Sequence, residues 1–225
     1  MHPSSDPKSS NVVAPAPWQL RAEAYAFLVG LPLPRGRAEL FVPSELTEAR
    51  FGPWGVVAFI EYSESDVGPY YELLFIPGSF RFGKRWLPSI TKIYVSSRAS
   101  VDNGRRNWGI PKELADFEVD DGRDGVKRVT MRVDGVTAVE LWLRHGKVQL
   151  PFSTRVLPNS MFTLGQRLGG QTFEVTPKAR GLAQRAKVLH AWSEPGMFCE
   201  LSAERVGGAA RLSKVELQFP TAVMR

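Results

Sequence analysis

Arg128-Val129-Thr130-Met131-Arg132-Val133-Asp134-Gly135-Val136-Thr137-Ala138-Val139-Glu140-Leu141-Trp142-Leu143-Arg144 reads as two strands joined by a tight turn. Successive side chains of a strand point to opposite faces. In the first run Val129, Met131 and Val133 alternate with Arg128, Thr130 and Arg132. In the second, Thr137, Val139, Leu141 and Leu143 alternate with Ala138, Glu140, Trp142 and Arg144. Asp134-Gly135 between them is a hairpin signal, because the favoured two-residue turn needs positive φ at both central positions.

Outward from this hairpin the same signals recur. Residues 54–62 and 70–77 are apolar runs, and residues 90–97 place Thr91, Ile93 and Val95 on one face. Residues 148–153, 172–176, 183–191, 197–206 and 212–219 complete a set of ten or more short strands punctuated by Gly, Pro and Asp. That count predicts a mainly β domain, an antiparallel barrel or sandwich. Residues 44–48 look like one helical turn capped by Ser44, and residues 100–107 like a central helix with Ser100 as cap. The pattern of residues 18–31 fits a short helix or an edge strand. Residues 1–17, rich in Ser, Pro and Asn, read as a disordered tail, with 18–225 as a single domain. Residues 162–170 carry glycines without the lysine of a phosphate loop and read as a flexible turn.

The chain has 225 residues, enough for a substantial core, with 43% apolar and 23% charged residues. No apolar run nears the roughly 20 residues of a membrane helix, and residues 1–17 lack the order of a secretory signal. A single cysteine, Cys199, leaves no intramolecular disulfide and fits a reducing, cytoplasmic address. It reads as a small buried hydrophobe. The net charge of +6 includes Lys178, Arg180, Arg185 and Lys187. No nucleic-acid motif accompanies that cluster, so neither nucleic acid nor membrane is expected as a partner. The excess charge would instead draw an anionic substrate towards a cleft. His2, His145 and His190 lack metal-ligand spacing, and no metal is expected.

Two further segments carry the chemistry. Gly68-Pro69-Tyr70-Tyr71-Glu72 puts a carboxylate just inside a strand, and Gly104-Arg105-Arg106-Asn107-Trp108-Gly109-Ile110-Pro111-Lys112-Glu113 puts a lysine behind a proline. Taken alone, Pro-Lys-Glu is an ordinary solvated tripeptide, and Glu72 an ordinary surface carboxylate. Together the segments resemble the Gly-x-Tyr-x-Glu and Gly-Arg-Glu…Pro-Lys-Lys elements of the acetoacetate decarboxylase family. Ala191-Trp192-Ser193-Glu194-Pro195 is similar to that family's Ala-Trp-x-x-Pro element. The resemblance spans roughly residues 68–195.

It implies a closed, double-cone-like β fold, commonly a homo-oligomer, with Lys112 in an apolar cavity as the imine-forming nucleophile. Glu72 would position substrate and shuttle protons. Arg105, Tyr70 and Trp108 would line the substrate site, the last two as cavity wall. The substrate would be a small keto acid, cleaved by decarboxylation or joined by aldol-type chemistry without a cofactor. A free lysine is protonated in all but about one part in 2,500 at pH 7, so burial or a neighbouring cation is expected to lower its pKa. Such tuning is a known property of the acetoacetate decarboxylase family, and the expectation comes with the resemblance.

The sequence departs from the family pattern at Glu113, where a second lysine is usual, and at Arg106, where glutamate is usual. At ~7 Å and an effective dielectric of ~20, a Glu113 carboxylate would favour the ammonium by roughly 2 kcal/mol. In an extended segment it faces away from Lys112. The family's N-terminal arginine has no counterpart in register, Arg21 being near the place. The rival reading is a non-catalytic β-barrel that encloses an apolar small molecule; a degenerate enzyme serving as an assembly subunit is a third.

Overall fold

In the computed structural model, the structure describes residues 12–31, 40–46, 48–156, 158–159 and 162–225. The strands, in chain order, are β1 (Trp18–Gly30), β2 (Ala49–Glu64), β3 (Tyr70–Phe82), β4 (Arg85–Pro88), β5 (Lys92–Val95), β6 (Lys112–Leu114), β7 (Asp116–Asp121) and β8 (Lys127–Val133). They continue with β9 (Val136–His145), β10 (Leu150–Ser153), β11 (Leu164–Leu168), β12 (Gln171–Val175), β13 (Lys178–Ser193), β14 (Val206–Phe219) and β15 (Val223–Met224). Among the described residues one α-helix, α1 (Arg98–Trp108), lies between β5 and β6.

Twelve strands form one sheet with the order β6-β5-β3-β2-β1-β14-β13-β9-β8-β7, β4 pairing with β3 and β10 with β13. The path begins on β6 and ends on β7, which are separated in sequence only by Ala115. The sheet therefore curls round until its two ends meet at one residue, giving a nearly closed, barrel-like shape. A second sheet, β11-β12-β15, packs outside it. The pairing is antiparallel except at β5 and β6, which are parallel. A parallel pair cannot be joined by a hairpin. Helix α1 is the crossover, and this single exception places it over the site.

The hairpin read from the sequence is present. Asp134 and Gly135 have φ of 50° and 80°, and Met131 pairs with Val139. One residue departs: the register slips between Met131 and Arg132, so Ala138 turns inward and is fully buried. The second half of β2 and the facing part of β3 are largely buried on both faces, which explains their continuous apolar runs. Val57, Phe59, Leu73 and Phe75 face the barrel interior with Val129, Met131, Leu141 and Leu143. Tyr62, Tyr70 and Leu74 face a second core with Trp18, Ile93, Val101 and Trp108.

Several expectations are corrected. Residues 18–30 form a central strand between β2 and β14 rather than a helix or an edge. Residues 44–46 make a turn, closed by Leu46 N–H donating to the Pro43 carbonyl at 2.9 Å; Thr47 lies outside the described residues. Residues 197–205 are not a strand. Gly196 turns the chain at φ 86°, and Ser193 Oγ bridges the Cys199 carbonyl and Leu201 N–H, folding Phe198, Cys199 and Leu201 into the core. Cys199 is buried, and burial raises its thiol pKa well above the ordinary value. Residues 162–170 contain β11 and the turn to β12. Of the expected tail, residues 1–11 lie outside the described residues. Residues 12–17 instead strap onto α1: Ala14 N–H donates to Asn103 Oδ1 at 2.9 Å, and Asn103 Nδ2 donates to the Val12 carbonyl at 2.7 Å.

Candidate active site

The site begins with α1. Ser97, in extended conformation, caps it by accepting from Ser100 N–H, and Gly109 ends it with left-handed φ of 62°. A Cβ on Gly109 would sit 2.4 Å from the Phe173 ring, so both conformation and space demand glycine there. The cap is thus Ser97, three residues before the one expected from sequence. Ser100 and Gly104, one turn apart, share the face turned towards β6. A short turn follows, in which Lys112 N–H donates to the Ile110 carbonyl across Pro111 at 2.8 Å. Proline's fixed φ suits that turn. Lys112 then enters β6, in register with Ile93 on β5.

Glu72 reaches the same point from β3, where it pairs with Ile60 on one side and Val95 on the other. Lys112 Nζ lies 2.8 Å from Glu72 Oε2 and 3.0 Å from Ser100 Oγ. Tyr62 OH donates to the other carboxylate oxygen, Oε1, at 3.3 Å. The Tyr70 ring centroid is 5.2 Å from Nζ, within cation–π range, and packs on the Tyr62 ring at 4.5 Å. Lys112 and Glu72 are each only 4% exposed. The lysine stem fits because Gly104 has no side chain: a Cβ there would lie 2.7 Å from Lys112 Cδ.

These groups face a cavity of about 140 Å³, walled by Trp18, Leu20, Ile60, Ile93, Trp108 and Phe219 among others. Trp108 stacks edge-on with Trp18 and Phe219, both at 4.9 Å. The structure therefore brings Lys112, Glu72, Tyr70 and Trp108 together. It does not bring Arg105, which is exposed on α1 and donates from Nε to the Lys112 carbonyl at 2.9 Å, tying the helix to β6 from outside. Arg106 is exposed, and Arg21 pairs with Glu64 at 3.4 Å on the outer surface. The Ala191–Pro195 element borders a different cavity. Ser100 and Tyr62 join the site unannounced. Their signals were a buried polar residue inside a helix, and a tyrosine that faces Tyr70 once β2 and β3 are paired.

The electrostatics differ from expectation. Burial is the largest influence on Lys112 and pushes its pKa down, but Glu72 and then Tyr70 outweigh it, so the ammonium is held above its ordinary 10.5. Burial likewise raises Tyr70 to about 12 and Tyr62 well above 10, and Glu72 adds to both, so the two phenols stay protonated at neutral pH. Glu113 faces away, as an extended segment requires, and accepts from Lys92 Nζ at 2.7 Å.

No curated protein matches the chain. Among solved structures, acetoacetate decarboxylase from Legionella pneumophila subsp. pneumophila str. Philadelphia 1 is similar with a TM-score of 0.66 at 13% identity, over 98% of this chain and 91% of that one. The enduracididine biosynthesis enzyme MppR gives 0.64 at 14% identity, over 96% and 90% of the two chains. An acetoacetate decarboxylase-like enzyme from Sphingomonas wittichii RW1 gives 0.64 at 14%, over 95% and 94%. These likenesses establish the shared fold. The family model of acetoacetate decarboxylase (ADC) matches residues 3–203, most of the chain, and the protein belongs to that family.

Proposed function

We propose that the protein is a lyase that forms an imine between Lys112 and a small carbonyl compound. The observation that carries this reading is the 2.8 Å contact between a buried lysine and a buried glutamate at the wall of an apolar cavity. Glu72 keeps the resting lysine protonated, and a proton passing from Nζ to Glu72 across this contact frees the amine for attack. The neutral amine then attacks the carbonyl carbon. Glu72 returns that proton to the carbonyl oxygen and relays a second one from the attacking nitrogen, so the oxygen leaves as water, and the resulting iminium has the Glu72 carboxylate as its counter-charge. The iminium draws electrons from the adjacent carbon–carbon or carbon–hydrogen bond, giving an enamine. Protonation or attack on a second carbonyl follows, and hydrolysis frees the lysine. Tyr62 holds Glu72 through Oε1, and the Tyr70 ring face supports positive charge at Nζ.

Small keto acids are the reactants that family membership suggests; a structure of MppR with pyruvate is among the similar folds. Reduction with borohydride in the presence of acetoacetate, pyruvate or 2-pentanone, followed by peptide mapping, tests the reading. The expected adduct is on Lys112 and vanishes in Lys112→Ala. A protein that gives no adduct at Lys112 with any of them, yet still takes apolar ligands, is the binding barrel instead.

A further inference from the structure

The cavity's polar inventory is small and already committed. Among the described residues, four of its lining side chains are polar: Tyr62, Tyr70, Glu72 and Lys112. Lys112 and Glu72 neutralise each other, Tyr62 is spent on the second glutamate oxygen, and the Tyr70 hydroxyl is engaged by Lys112 and Ser100. The other twelve lining residues are Leu, Ile, Phe or Trp. Even the two indole N–H groups are turned away, Trp18 donating to the Ala14 carbonyl at 2.9 Å and Trp108 to the Pro220 carbonyl at 2.7 Å. Among the described residues, the nearby cations Arg105 and Lys92 serve other ends, Arg105 tying down the Lys112 carbonyl and Lys92 holding Glu113.

A substrate carboxylate entering this wall would meet hydrocarbon on most sides and, on the remaining one, a lysine whose charge the Glu72 carboxylate already balances. Burying an unpaired charge beside a like charge is strongly unfavourable. A neutral ketone brings only a carbonyl, which Lys112 consumes. Apolar cavities of ~150 Å³ take a benzene-sized guest, so about 140 Å³ suits a compound of about six carbons.

Resting on the imine reading above, we infer that the substrate of this site is a small, uncharged, apolar ketone or aldehyde rather than a keto acid. With no carboxylate to lose, the chemistry runs through the α-carbon. Lys112 condenses with the ketone, releasing water and forming the protonated imine. Glu72 takes an α-proton, and the electrons of that C–H bond move into the iminium to leave a neutral enamine. The enamine carbon attacks the carbonyl carbon of an aldehyde. A carbon–carbon bond forms, and the new alkoxide takes the proton from Glu72. Water then hydrolyses the iminium, returning the amine and a β-hydroxy ketone. The reverse sequence cleaves such a compound.

The test compares 2-pentanone with 4-oxopentanoate, five-carbon methyl ketones that differ by a terminal methyl or carboxylate. Wild-type protein in D2O is followed by proton NMR for α-hydrogen exchange, with borohydride labelling mapped in parallel. The expected result is exchange of 2-pentanone roughly 100-fold more efficient than that of 4-oxopentanoate, with the label on Lys112 and both signals lost in Lys112→Ala. Equal or faster exchange of 4-oxopentanoate, with Lys112 labelled, overturns the neutral-substrate inference and leaves the imine reading standing. Labelling of Lys112 by acetoacetate or pyruvate but by neither of these two compounds overturns this inference alone, and labelling by none of the four overturns the imine reading with it.

Discussion

Lys112 carries its proton because Glu72 sits against it, and that makes Glu72 the residue to change first. Glu72→Gln removes the charge that raises the lysine and leaves burial, which lowers it. The pH midpoint for borohydride labelling of Lys112 therefore moves down, while turnover falls because the proton has no acceptor. Labelling measured across pH for the two proteins checks this; an unchanged midpoint refutes it. Glu113 gives the opposite expectation. Its carboxylate lies across the strand and pairs with Lys92, so Glu113→Lys restores the family's lysine without placing it in the cavity. Facing Lys92, the new cation costs about 1 kcal/mol of stability, reduced by the glutamate's exposure. The Lys112 labelling rate stays within about threefold, and a tenfold gain would show that the second position acts on the first. Lys112 and Glu72 were legible in the sequence only as members of an ordered motif. Their mutual contact was not, because 40 positions separate them, with two strands and helix α1 between.

Helix α1 does two things, covering the cavity and leaving a groove for the lysine stem. The serine cap signal in the sequence placed it nearly where it lies, but the actual cap and the groove depend on neighbours. Ser97 outcompetes Ser100 as cap because Ser100 is drawn into the site by Lys112. Glycine inside a helix normally costs ~1 kcal/mol relative to alanine, and Gly104 tolerates that cost because a methyl would lie 2.7 Å from Lys112 Cδ and 2.9 Å from Cε. Gly104→Ala therefore separates stability from activity. The helix gains by propensity, the flexible lysine moves aside, and net stability changes by under ~1 kcal/mol. Displacement of Nζ by about 1 Å lowers turnover roughly 100-fold. Thermal melting and steady-state rates on one preparation check both halves, and unchanged turnover would show that the lysine reaches Glu72 by another path. Other elements escaped the sequence because contacts, not local preference, formed them. β6 has three residues and exists as a partner for β5, and residues 197–205 lost their expected strand to the anchors made by Ser193.

At the scale of the molecule, alternation and turn chemistry made the β class legible, whereas strand order did not follow from either. Closure depends on β6 and β7 being consecutive at opposite ends of a ten-strand path, a long-range fact that local patterns do not carry. The apolar cavity wall also buries the site, and that burial gives the whole protein an alkaline limit. Lys112, Tyr62 and Tyr70 all bind protons more tightly folded than unfolded. Stability from such groups is fully present below their unfolded values, 10.5 for the lysine and 10.0 for the tyrosines, and is lost as pH rises through the folded ones. The melting temperature is therefore expected to hold up to about pH 10 and to fall steeply towards pH 12, where Tyr70 ionises in the folded state. Lys112→Met removes one of these protons and leaves Glu72 buried without its cation. That variant melts lower than wild type at pH 8, and the gap narrows as the pH rises above 10, because wild type is then losing what the variant already lacks. Melting curves of both proteins from pH 7 to 12 decide it, and a gap that widened above pH 10 would mean that Lys112 is not the proton that folding holds.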